Sequence, residues 1–93
     1  AAFQRLQWQL LMRIALDYDK TYTADPALWD GFISLANERG HQVRIVTMRY
    51  PDSEAIESPP APVVYTRRTA KCKLYQADVW IDDNPAWIYQ DAL

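Results

Sequence analysis

The sequence predicts an α/β fold, an open parallel sheet with helices against its faces. Three observations predict it. Short apolar runs end repeatedly in a polar residue: "RIALD" (Arg13–Asp17), "VRIVT" (Val43–Thr47), "VVYT" (Val63–Thr66) and "VWID" (Val79–Asp82). The first run is apolar on both parities, as a strand is when both faces of its sheet are covered. A helical stripe separates the first two runs, and strand, helix, strand at that spacing is a crossover joining parallel neighbours.

The elements follow in order. Residues 1–11 read as an N-terminal extension to a domain at 12–93. Within it Phe3, Leu6, Leu10 and Leu11 fall at helical spacing. Gln4, Arg5, Gln7 and Gln9 interrupt the apolar stretch that a secretory signal needs. After the first strand comes the polar loop "YDKTYTA". Asp25 and Pro26 then make a helix start, with Asp25 as N-cap and Pro26 at the first helical position. Leu28, Trp29, Phe32, Ile33 and Ala36 form the apolar stripe, and Gly40 stops the helix. The second strand leads into a Pro-punctuated connector, "YPDSEAIESPPAP", with one short helix expected at Ser53–Glu57. After the third strand, "TAKCKLYQA" has space for a turn or two of helix. Asn84–Pro85 repeats the cap-plus-proline signal after the fourth strand, and "AWIYQDAL" starts a closing helix. Trp29, Phe32, Trp80, Trp87 and Tyr89 are expected in the core. Tyr18, inside the first loop, faces solvent or packs beside its entry.

Composition narrows the function. With 93 residues, 49% of them hydrophobic and 24% charged, the chain suits one domain with a modest core. A net charge of -2 argues against general nucleic-acid binding, which draws on a basic surplus. Cys72 is the only cysteine, so neither an internal disulfide nor a cysteine zinc site can form. A reducing, cytoplasmic setting fits, with Cys72 an inert thiol. His41, the only histidine, reads as a surface residue. No apolar run is long enough to span a bilayer.

The predicted fold gathers scattered polar residues at one edge. Asp17, Thr47, Thr66 and the pair Asp82–Asp83 end the four strands, where open α/β sheets bind ligands. Asp17 and Asp19 stand one residue apart, and ionised carboxylates that close repel unless a cation or a proton lies between them. On an extended backbone their side chains point the same way. Several carboxylates with threonines and lysines make a hard-oxygen site that suits Mg²⁺. A carboxylate there can attack phosphorus, and a second can protonate the leaving oxygen and then activate water. Arg67, Arg68, Lys71 and Lys73 form a basic patch that can attract an anionic substrate, and Arg49 could touch a substrate phosphate or base. The plainer alternatives are loop caps for Asp17 and Asp19, a helix cap for Asp83–Asn84, and a solvated surface for Arg67 and Arg68.

"DYDKT", then "IVT", then a lysine, then "WIDDNP" resembles the haloacid dehalogenase-like (HAD) superfamily of phosphohydrolases, in particular its small capless members from bacteria and their phages. The four elements occur in order across residues 12 to 88. The resemblance implies a three-layer Rossmann-like core with strand order 4-1-2-3. It implies Asp17 as nucleophile and Mg²⁺ ligand, and Asp19 as general acid/base with its backbone carbonyl on the metal. Thr21 would brace the loop near the substrate, and Thr47 would hydrogen-bond the phosphoryl oxygens. Lys71, favoured over Lys73, would neutralise the nucleophile and the phosphoryl group. Asp82 would bind Mg²⁺, with Asp83 acting directly or through water. The implied activity is a Mg²⁺-dependent phosphatase working through an aspartyl-phosphate. Its substrate would be a small phosphorylated metabolite, a nucleotide or a nucleic-acid end. Without a cap the site should be open, so specificity would come from nearby loops, a second copy or a partner protein. The competing class is a non-catalytic module of the same fold serving regulation or assembly. A phosphate-accepting receiver domain fits less well, because its phosphorylated Asp typically ends the third strand and Val63–Thr66 has none.

Overall fold

The computed structural model describes residues 11–92. The helix expected around Phe3, Leu6 and Leu10 therefore lies outside the described residues. Four strands form one all-parallel sheet: β1 (Arg13–Leu16), β2 (Gln42–Thr47), β3 (Val63–Tyr65) and β4 (Val79–Ile81). Their order is β3-β2-β1-β4, which is 4-1-2-3 read from the other edge. Asp17, Thr66 and Asp82 stand one residue beyond their strands, where the chain already turns away. The ladder nonetheless reaches two of them. Asp17 N–H donates to Ile81 O at 2.9 Å, and Thr66 N–H donates to Thr47 O at 2.8 Å.

Helix α1 (Pro26–Glu38) is built as its sequence dictates. Asp25 caps it by accepting from Leu28 N–H at 3.2 Å, and Pro26 occupies the first turn, where no N–H is needed. At the other end Gly40 has φ +86°, His41 N–H donates to Ala36 O, and Gly40 N–H donates to Asn37 O. That pair of bonds is a Schellman stop. Ile33 and Ala36 of α1 join Ile14, Leu16, Val43 and Ile45 in the core, with Trp29 and Phe32 packed partly buried against it. Leu28, the first residue of the expected stripe, stays exposed.

Three expectations are corrected. The connector at Ser53–Glu57 forms turns and no helix, although Ile56 still drops into the core and its N–H donates to the Tyr65 hydroxyl. Pro59 and Pro60 remove the donors that would bond Ala55 O and Ile56 O, and Ser58 before them leaves the helical region at φ 49°. The turn or two of helix expected after the third strand is present as a single 3₁₀ turn, Lys71–Lys73, and the expected closing helix α2 (Ala86–Tyr89) is present but one turn long. Among the described residues only α1 exceeds a turn, so the second helical layer of a three-layer fold is reduced to short pieces. Tyr89 and Trp87 leave the expected core as well: Tyr89 is exposed, and Trp87 lines the cavity described below.

One segment runs against local preference. Arg67 and Arg68 have φ of 54° and 68°, and Thr69 N–H closes the turn onto Thr66 O at 3.0 Å. Two consecutive positive φ values inside such a turn are the pattern that Asn and Gly normally supply. The Arg67 side chain is exposed. Arg67→Gly should therefore stabilise the protein by about 0.5–1 kcal/mol, the left-handed relief less the entropy that glycine adds to the unfolded chain. Urea denaturation measures it, and a lower midpoint would contradict the strain.

Candidate functional site

The order of strands places the site. Strands β2 and β3 follow β1 to one side, and β4 returns to its other side, so the order reverses between β1 and β4. Open sheets leave a crevice at that point, beyond the carboxyl ends. Asp17 leaves β1 there, and Asp82 leaves β4 beside it, with Leu16 and Ile81 in register.

Lys71 ties the two together. Its Nζ donates to Asp17 Oδ1 at 2.7 Å and to Asp82 Oδ2 at 2.6 Å, and the residue is only 2% exposed. The 3₁₀ turn selects it. At three residues per turn, Lys71 and Lys73 leave on different sides. Lys71 points to the acids, and Lys73 points out to Asp91 at 3.3 Å.

Asp83 completes a cluster. Asp17, Asp82 and Asp83 each offer a carboxylate oxygen, and these atoms lie within 4.8 Å of one another. Thr21 binds the cluster from the loop side. Its Oγ lies 3.1 Å from Asp17 Oδ2 and 3.1 Å from Asp83 Oδ1, and it accepts from Asp83 N–H. A hydroxyl has one proton, so it can serve one of those two oxygens at a time. Lys71 brings one positive charge to three acids. The set therefore has oxygen ligands and charge to spare for a divalent cation. Hard oxygens suit Mg²⁺, and equally Mn²⁺ or Ca²⁺.

Electrostatics record the same deficit. The Asp17 carboxyl is pushed up from 3.8 to about 6, first by burial, with Asp83 and Asp82 acting in the same direction and Lys71 opposing. Asp17 in the folded protein thus holds its proton to higher pH than in the unfolded chain. Between about pH 4 and about pH 6 the folded state binds more protons, so its stability falls as pH rises through that window. In EDTA, the urea midpoint of the wild type should drop between pH 4.5 and pH 7 relative to Asp17→Asn. Parallel profiles for the two proteins would contradict the raised Asp17.

Asp19 takes a different path. The chain turns at Tyr18–Thr21, with Lys20 at φ 68°, Thr21 N–H on Tyr18 O and Tyr22 N–H on Asp17 O. The extended geometry expected for "DYD" is absent, because closing this turn satisfies the loop's backbone donors. The Asp19 carboxylate stands outside the acid cluster and is forked by Arg49, Nε to Oδ2 at 2.9 Å and Nη2 to Oδ1 at 2.8 Å. Arg49 holds the Asp19 carboxyl below the usual range. The guanidinium carbon also lies 5.0 Å from the centre of the Tyr18 ring, which stacks on Tyr22.

These groups share one cavity of about 420 Å³. Asp17, Asp19, Thr47, Arg49, Lys71 and Asp83 line it. Thr47 is buried and accepts from Arg49 N–H at 3.3 Å. Thr21 and Asp82 reach it through the side chains that form it, whereas Thr66, Arg67 and Lys73 do not line it. Arg68, Glu54 and Trp87 also line it. The basic patch hinted at Arg68, whereas nothing in the sequence around Glu54 or Trp87 marked them. Three of the remaining residues are unremarkable: Cys72 is half-buried, His41 accepts from Met12 N–H through Nδ1, and Arg67 faces solvent.

Among the described residues no helix is long and apolar enough to cross a membrane. No family model, curated protein or solved structure matches the chain.

Proposed function

We propose that this chain is a divalent-cation-dependent phosphohydrolase of the HAD-like type, with Asp17 as nucleophile. One observation carries the reading: acids from two separate strand ends and a buried lysine converge where the strand order reverses. A structural salt bridge needs one acid for Lys71, and here three are gathered.

The chemistry follows from those groups. Asp17, Asp82 and Asp83 would hold the cation, with Mg²⁺ the ion the resemblance implies. When bound, it would offset negative charge on the phosphoryl oxygens. An Asp17 carboxylate oxygen attacks phosphorus, forming the Asp17–phosphate bond as the bond to the leaving oxygen breaks. Asp19, the acid the resemblance implies, is ionised in its fork with Arg49, so it can give that oxygen a proton only after leaving Arg49 and taking one from solvent. Lys71 and the Thr47 hydroxyl steady the transferring group. Water then attacks phosphorus and passes a proton to Asp19. Inorganic phosphate leaves, and Asp17 is restored.

The test is hydrolysis of p-nitrophenyl phosphate with Mg²⁺ and with excess EDTA. Turnover that requires the metal supports the reading, and none with Mg²⁺, Mn²⁺ or Ca²⁺ overturns it. A second reading has one observation behind it. Asp19 is occupied by Arg49, as suits a non-catalytic module in which the acid has become structural. That module would bind the cation, seen as a rise in thermal midpoint, and hydrolyse nothing.

A further inference from the structure

We infer that Arg68 is a specificity-determining residue that binds a second anionic group, phosphate or carboxylate, on the phosphomonoester attacked at Asp17. This deepens the phosphohydrolase reading and rests on it.

The first ground is backbone conformation. Arg68 sits third in the Thr66–Thr69 turn, at φ 68°, where a side chain is unfavourable and glycine is not. Non-glycine residues held in this region concentrate at ligand sites, where surrounding contacts enforce them. Here the enforcing contacts are specific. Arg68 N–H donates to Met48 O at 3.0 Å, and its own Nη1 donates to the same oxygen at 2.7 Å. Met48 directly follows Thr47 at the end of β2, so the guanidinium is referenced to the strand that lines the site.

The second ground is availability. Arg68 lines the same cavity as Asp17 and Lys71. Its acidic partner is Glu54, Nη2 to Oε2 at 3.1 Å, in a pair about a third exposed on both sides (35% and 37%). Such an exposed pair is weak and can give way to another anion. Among the described residues, Met48 O and Glu54 accept from two of the five guanidinium N–H groups, which leaves donors for a ligand. Arg49 differs, because its fork is spent on Asp19 and its Nη1 on Glu54 O. The third ground is room: at about 420 Å³ the cavity extends well beyond one phosphoryl group. A ligand bearing one phosphate at Asp17 and a second anion toward Arg68 would draw on both of these lining residues.

Three unreactive probes test this by calorimetry on the full chain in Mg²⁺: propylphosphonate, 3-phosphonopropionate and propane-1,3-bisphosphonate. The two-anion probes should bind at least about tenfold more tightly than propylphosphonate, the worth of one charge-assisted contact. Whichever of the two leads identifies carboxylate or phosphate as the second group. In Arg68→Gln that advantage should fall below about twofold, whatever happens to the affinity for propylphosphonate. If Arg68→Gln fails to fold, Arg68→Lys gives the same answer, because it keeps the charge without the fork and should lose at least about threefold of the advantage. An advantage under twofold in the wild type, no binding of any probe, or an advantage untouched by these substitutions overturns the assignment. Binding needs no turnover. Failure to hydrolyse p-nitrophenyl phosphate would therefore defeat the phosphohydrolase reading separately, with the two-anion preference still measurable.

Discussion

Asp17→Asn should remove hydrolysis of p-nitrophenyl phosphate, by at least about 10³-fold in kcat/KM. It should do so without unfolding the protein. The amide keeps the size of the carboxyl but cannot supply the attacking oxygen. Its effect on folding runs the other way. At pH 7 the folded protein must carry Asp17 as an anion that burial and two neighbouring acids disfavour. Asparagine removes that anion, and Lys71 keeps Asp82 as a partner at 2.6 Å. In EDTA the variant should therefore be at least as stable as the wild type in urea. Inactivity joined to retained or raised stability separates a nucleophile from a packing residue. Near-wild-type turnover in Asp17→Asn would remove the proposed nucleophile.

Lys71→Met should have the largest effect on stability. Among the described residues Lys71 is the only cation bonded to the buried acids, and deleting one partner of a buried charge pair leaves the other uncompensated. The expected loss is about 3–5 kcal/mol in EDTA at pH 8, eased to the extent that Asp17, without the lowering effect of Lys71, takes up a proton. Millimolar Mg²⁺ should restore part of it, because a divalent ion can replace the missing charge. Urea denaturation with and without Mg²⁺ measures both effects. An unchanged midpoint in EDTA would mean that the cluster does not depend on Lys71. A midpoint that Mg²⁺ cannot raise would mean that the acids do not hold the ion.

The elements that shape the fold were legible because their signals are local. Asp25–Pro26 and Gly40 mark the two ends of α1 by backbone chemistry alone. The apolar runs mark four strands to within one residue, and their polar last residues mark the working edge. The connector misled because Ser53–Glu57 has acceptable helical composition, and Pro59 and Pro60 after it bar the helix from continuing. Trp87 misled for a different reason. A large aromatic belongs in a core on average, but a closing helix of one turn presents too little surface to bury all its aromatics.

From sequence alone came the parallel α/β sheet and the presence of acids and threonines at its carboxyl edge, because period, capping and strand ends depend on neighbouring residues. Only the tertiary structure decided which lysine reaches Asp17, that Arg49 closes on Asp19, and that a strained turn aims Arg68 into the cavity. Each of those outcomes joins side chains from distant parts of the chain. Their reach is set by how turns and strands pack together, and no short stretch of residues specifies that.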